Sequence, residues 1–111
     1  MKQQGMVMET IAFRMRLHPG KRDEYRRRHD AIWPELADAL RAAGISDYWI
    51  FLDEDTHHLF AVLKRPIGHR IAQLAETDVM RRWWAYMADL MATGPDGRPV
   101  EKSLEPMFHL E

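Results

Sequence analysis

The sequence predicts an α+β fold built on one antiparallel sheet. Three observations lead there: segments of two-residue alternation, segments of helical period, and the order in which they follow one another. "TIAFRMRL" alternates cleanly. Ile11, Phe13, Met15 and Leu17 share one side, with Thr10, Ala12, Arg14 and Arg16 on the other, the pattern of a strand with one buried face. "HPG" breaks it, and the period lengthens. Tyr25, His29, Ile32, Leu36, Leu40 and Ala43 follow steps of four and three, and Gly44 stands where a helix C-terminus favours glycine. Pro34 lacks a backbone donor and its ring clashes with the carbonyl of Asp30. A kink or short break is therefore expected around residues 30 to 33, just after His29.

"DYWIFLD" alternates again, with Tyr48, Ile50 and Leu52 on one face and Trp49 and Phe51 on the other. "DEDTHH" is a polar turn and "HLFAVLKR" a third strand, so the two should form a hairpin that Pro66 and Gly68 end. A weak helix over roughly residues 69 to 75 follows, and Thr77 or Asp78 can cap a stronger one running to Met91. "GPDGRP" has turn chemistry, and "PMFHL" reads as a short last strand that Pro106 places at a sheet edge. The order strand, helix, strand, strand, helix, strand is the ferredoxin-like split βαβ arrangement (β-α-β-β-α-β), an antiparallel sheet with both helices on one face. The opposite face then carries Trp49 and Phe51, which are large and apolar and call for a partner. A symmetric homodimer with sheets face to face is the simplest closure.

At 111 residues the chain is expected to be one domain, spanning 1–111. Sixteen basic residues against seventeen acidic ones leave a net charge of −1, which argues against general attraction to nucleic acid or anionic membrane. No apolar run approaches the length of a bilayer span, and "MKQQGMVMET" carries no secretory apolar region. With no cysteine, disulfides and thiolate metal sites are excluded, and a reducing, cytoplasmic location fits.

The residues able to do chemistry are few. Tyr25 and His29 lie on the inward stripe of the first helix. Imidazole titrates near neutrality and both gives and takes protons, so an enclosed histidine suits general acid–base work. The plainer reading is a core histidine that packs and hydrogen-bonds, or one that caps the helix break. In "RRWWAYMADLM", Val79, Trp83, Tyr86 and Leu90 make one stripe and Met80, Trp84, Met87 and Met91 its neighbour. Such a face is ordinarily core. Yet adjacent tryptophans point about 100° apart on a helix, so both reach the sheet only around the edge of a cavity, where flat indoles suit a small CH-rich ligand such as a sugar. Tyr48 aims its hydroxyl toward Tyr25 and His29 if its face meets the helices, and into solvent otherwise. Arg26, Arg27 and Arg28 follow Asp23 and Glu24 at helix-pair spacing and read as a solvated face. His57 and His58 are neighbours in a turn, without metal-ligand spacing, and no phosphate loop, GxSxG or HExxH sequence occurs.

"EYRRRHDAIWPEL", "DYWIFLD" and "TDVMRRWWAYMADLM" together closely resemble the L-rhamnose mutarotase family, from about Phe13 to the C-terminus. The resemblance implies a cytoplasmic, dimeric α/β barrel without cofactor or metal that interconverts the α and β anomers of L-rhamnose. It implies His29 as proton donor, with Tyr25, Tyr48, Trp83 and Trp84 binding the sugar. Two departures from the family pattern stand out. "HDAIWP" replaces an expected Asn-Pro pair before Ile-Trp-Pro, and His109 takes a place where tyrosine is more usual. The residue that serves as general base is not named by the sequence. Two other classes compete: a small oxygenase or haem-binding protein on the same dimeric barrel, with His29 as base or iron ligand, and a non-catalytic sugar-binding module.

Overall fold

In a computed structural model that describes residues 7–111, the first three alternating segments are strands: β1 (Met8–Arg16), β2 (Ser46–Asp53) and β3 (His58–Pro66). Residues 1–6, the start of the N-terminal stretch "MKQQGMVMET", lie outside the described residues. β1 pairs antiparallel with β3, from Met8 opposite Pro66 to Arg16 opposite His58, and β3 pairs antiparallel with β2 across the expected hairpin. A short β4 (Lys102–Leu104) adds to the free side of β1, giving a four-stranded antiparallel sheet in the order β2-β3-β1-β4.

The first helical segment is divided where proline chemistry requires. α1 covers Arg22–Asp30 and α2 covers Pro34–Ala42, with Ala31, Ile32 and Trp33 between them. Pro34 occupies the first turn of α2, where a missing amide hydrogen costs nothing, and Trp33 in extended conformation (φ −62°, ψ 130°) sets the new direction. α3 (Ile71–Leu74) is a single turn. α4 (Asp78–Met87) starts at Thr77, whose Oγ1 accepts from the Met80 amide at 3.3 Å and donates to the Leu74 carbonyl at 2.7 Å.

Two expectations are corrected. α4 stops at Met87 and does not reach Met91. The chain beyond it turns back to the sheet, where Met91 bridges Leu17, the His18 amide donates to the Leu90 carbonyl, and the Ala92 amide donates to the Arg16 carbonyl. Leu90 and Met91 are buried by this return. Their apolar character belongs to the core and not to a helical stripe. The last strand is Lys102–Leu104, so residues 106–110 form no strand; Pro106 has no amide hydrogen to extend the ladder, and Met107, Phe108 and Leu110 stay exposed.

One face of the sheet and the helices enclose the core. Met15 and Leu17 of the β1 side, Leu59, Ala61 and Leu63 of β3, Tyr25 of α1, Leu36 of α2 and Val79, Met80, Trp83 and Met87 of α4 are all buried in it. On the opposite sheet face Trp49 and Phe51 stack in parallel, centroids 5.7 Å apart, and remain 60 % and 53 % exposed. Among the described residues no helix is long and apolar enough to cross a membrane.

Gly44 joins α2 to β2 with φ +100°, and a Cβ placed there would meet the Pro66 ring at 2.8 Å. The left-handed backbone and the rigid proline act together, so Gly44→Ala should destabilise the protein by about 1–3 kcal/mol. Urea unfolding of the two proteins measures it, and equal midpoints would contradict this packing.

Candidate active site

The break after Asp30 puts His29 in the last turn of α1, where its ring is half-buried. Its Nδ1 lies 3.0 Å from the Tyr25 carbonyl. A carbonyl only accepts, so Nδ1 carries the hydrogen and Nε2 bears the free lone pair of the neutral ring. The tautomer is thus set by the backbone one turn earlier. The imidazole also lies against the Tyr25 ring (4.4 Å, tilted 31°) and edge-on to Trp83 (5.4 Å, 89°), which fixes its plane.

These groups border a cavity of about 830 Å³ between the helices and the inner sheet face. Tyr25, His29, Tyr48 and Trp83 all line it, against an apolar floor of Ile50, Leu52, Leu59 and Met80. Arg22, Arg26 and Asp30 of α1 stand at its border with Asp47 and Glu54 from the ends of β2. Tyr48 gets there through an irregularity. The register between β2 and β3 shifts between Ser46 and Trp49, and Asp47 adopts φ 45°, so the extra residue re-aims the strand start. The Tyr25 hydroxyl and His29 Nε2 have no hydrogen-bond partner among the described residues, and neither is sealed from solvent. Both are available to a ligand.

Burial sets the electrostatics. It pushes the Tyr25 phenol well above its ordinary value, with the nearby Tyr48 hydroxyl adding to the effect. Tyr48 is 39 % exposed as a residue. Desolvation by the neighbouring protein, with the charge of Glu101, pushes its pKa up to about 12. Burial lowers His29, opposed by its bond to the Tyr25 carbonyl and by the Asp30 charge. Near neutral pH the cavity therefore presents two intact phenols and a predominantly neutral imidazole.

A model of the family described as L-rhamnose mutarotase matches residues 10–110. The chain belongs to the L-rhamnose mutarotase family. An L-rhamnose mutarotase of Burkholderia cenocepacia (strain HI2424) is 95 % identical over 104 residues, covering 94 % of this chain and all of the relative. Another, from Burkholderia ambifaria (strain MC40-6), is 66 % identical over 103 residues, 93 % of this chain and 99 % of the relative. The crystal structure of an L-rhamnose mutarotase from Formosa agariphila superimposes with a TM-score of 0.85 at 42 % identity, over 93 % of this chain and 99 % of that one.

Of the five residues that the family resemblance singles out, the structure gathers Tyr25, His29, Tyr48 and Trp83 around one cavity. Trp84 is apart from them: it packs against the core from the neighbouring face of α4, with the Arg98 guanidinium 5.2 Å over its ring. The residues that depart from the family pattern are placed as well. Ala31 closes α1 by donating to the Arg27 carbonyl, and His109 lies in the exposed segment after β4. Sequence reasoning missed Trp33, which meets Trp83 edge-on at 5.0 Å and stacks on Tyr86 at 5.4 Å. Its place beside Pro34 was the available signal, since the residue before a proline is extended and aims its side chain off the helix. The arginine run needs correction too. Arg28 is only 11 % exposed, and it binds Glu24 of α1 together with Asp89 and the Tyr86 carbonyl at the end of α4, so it is no solvated face.

Because folding lowers the basicity of His29, the unfolded chain takes up a proton first as pH falls through about 6.5. Its contribution is neutral above that value, and stability is lost as pH drops toward the depressed folded-state pKa. Thermal midpoints of the wild type and His29→Asn should therefore diverge below pH 6.5, the wild type falling faster, with an NMR titration of His29 as direct check. An imidazole titrating above 6.5 would refute the burial effect.

Proposed function

We propose that this protein is an L-rhamnose mutarotase, an isomerase that interconverts the α and β anomers of the sugar by acid–base opening and closing of the ring. Family membership supplies the reaction, and one observation supports it in this chain: His29, with Nδ1 committed to the Tyr25 carbonyl and Nε2 left without a partner, lines a cavity together with two phenols and an indole.

The chemistry needs only protons. A base takes the anomeric hydroxyl proton while an acid protonates the ring oxygen, and the C1–O bond breaks to leave the open aldehyde. Rotation about C1–C2 presents the other carbonyl face, and closure reverses the proton transfers. In this reading His29 is the acid, working through Nε2. Nδ1 donates to the Tyr25 carbonyl in both charge states, so the ring need not reorient between giving and recovering the proton. Its lowered pKa makes the imidazolium a stronger acid, at the cost of a smaller charged fraction near neutral pH. Tyr25 and Tyr48 donate hydrogen bonds to sugar oxygens. Trp83 offers its face to the CH side of the ring and the 6-methyl group, supported by Trp84 from the next face of α4.

The same reading extends to assembly. The chain is one ferredoxin-like domain acting in the cytoplasm, and two copies meet sheet to sheet as a dimeric α/β barrel. The exposed Trp49–Phe51 stack supports this, with Phe60 and Val62 paired to these two residues in register on β3.

Saturation-transfer NMR on L-rhamnose anomers tests the activity. The wild type should accelerate exchange, and His29→Asn should remain folded, keep much of the sugar affinity and lose about 10²- to 10⁴-fold in rate. A rate within a few-fold of wild type would overturn the assignment of His29, and binding without acceleration by the wild type would mark a sugar-binding module instead. Sedimentation at micromolar concentration should give a dimer, and a clean species near the chain mass of 13.1 kDa would refute the sheet-to-sheet assembly.

A further inference from the structure

Arg28 lies one residue before His29 and does not line the cavity, yet its side chain is 11 % exposed and carries a dense set of contacts. Nε donates to Glu24 Oε2 at 2.7 Å on its own helix. Nη1 donates to the Tyr86 carbonyl at 2.5 Å and to Asp89 Oδ1 at 2.9 Å, while Nη2 reaches Asp89 Oδ2 at 3.3 Å. The guanidinium carbon sits 4.4 Å over the Tyr86 ring. Glu24 is itself held by Arg27 at 2.6 and 2.8 Å, so the carboxylate that receives Arg28 is fixed.

Two features lift this above an ordinary ion pair. First, the Tyr86 carbonyl belongs to the last turn of α4, where carbonyls lack intrahelical partners, so Arg28 caps that helix with a cation. Second, Tyr86 is joined to the cavity wall. It stacks on Trp33 and lies 5.7 Å from Trp83, and Trp83 is the edge-on neighbour of His29. The planar fork thus ties the last turn of α1, which carries His29, to the end of α4, which carries Trp83.

We propose that Arg28 is a positioning residue of the mutarotase site, locking α1 to α4 so that His29 keeps its angle to Trp83. This rests on the mutarotase reading for its kinetic consequence, though not for its geometry. Lysine keeps the charge at this place but has a single ammonium and cannot span Glu24, the Tyr86 carbonyl and both Asp89 oxygens while stacking on the ring.

The test uses Arg28→Lys and Asp89→Asn, with kcat and KM for L-rhamnose anomer exchange and the ring-proton chemical shifts of His29, which the ring currents of Tyr25 and Trp83 displace. Misplacing a catalytic group by about 1 Å can cost about 10²-fold, so kcat should fall about 10- to 100-fold while KM moves less. The His29 shifts should move toward those of a free histidine. If Arg28→Lys fails to fold, Asp89→Asn carries the test, because it leaves the bonds to Glu24 and the Tyr86 carbonyl in place. A lower melting temperature with kcat within two-fold and unmoved His29 shifts in a folded variant would overturn the proposal and leave Arg28 a structural clamp. Should the wild type not accelerate exchange at all, the mutarotase reading fails, and the His29 shifts still decide whether Arg28 fixes the ring.

Discussion

Pro34 has no amide hydrogen, and its ring excludes a helical carbonyl four residues earlier, so the chain cannot run through residues 30–34 as one helix. Most of the site follows from that prohibition. α1 ends at Asp30, and His29 sits in a terminal turn with its side chain bonded back to the Tyr25 carbonyl. Trp33, made extended by the proline after it, leaves the helical path and enters the aromatic group formed with Trp83 and Tyr86. α2 then restarts in a new direction and carries Leu36 into the core.

Around this break the structure is held by two kinds of contact with different tolerances. The inner side is apolar packing, in which Leu36, Leu59 and Leu90 are almost wholly enclosed and any loss of volume leaves a void. The outer side is a set of arginine forks. Arg28 joins α1 to the end of α4, and Arg82 joins α4 to α2 through Glu35 at 3.2 Å while lying 5.7 Å over Trp33. The two differ in burial: Arg82 stays about half exposed, so salt and water weaken its pairs far more than those of Arg28. The cavity wall is thus backed by polar ties where a purely apolar joint would slide.

Strict periodicity made most of this legible in the sequence. The alternation of Ile11, Phe13, Met15 and Leu17, and the four-three steps from Tyr25 to Ala43, pick out residues that face the core, buried at Met15, Leu17, Tyr25, Leu36 and Ala43 and half-buried at the others, and the turn and proline signals bound them. Tyr25 and His29 were readable as a pair because polar groups on an apolar stripe violate the pattern around them. The roles proposed for them rest on resemblance to a family and not on spacing. What stayed hidden depends on contacts between segments distant in sequence. Leu90 and Met91 continue the α4 stripe numerically, but they are buried by pairing with the end of β1, which no local period reveals. "PMFHL" is apolar enough for a strand, yet Ala12, Phe13 and Arg14 of β1 are already paired with Lys102–Leu104. Arg28 looked like its neighbours Arg26 and Arg27, since nothing within one turn announces Asp89, sixty-one residues on. The irregularity at Asp47 was equally silent, because aspartate tolerates a left-handed backbone without requiring it.

The upward displacement of both phenols has a consequence for what kind of surface the cavity offers. A hydroxyl whose pKa lies at about 12, as for Tyr48, or higher still, as for Tyr25, does not ionise anywhere in the range where cells live. Each remains a dipole of constant sign, able to turn its hydrogen toward whichever oxygen a bound molecule presents. A pyranose and its open-chain aldehyde differ in the position of a carbonyl and a hydroxyl but not in charge. Under the sugar-binding role proposed for Tyr25 and Tyr48, such permanently neutral donors would meet both ring forms and the open chain without favouring one by charge. For a catalyst that must run equally well in both directions, such indifference is an asset.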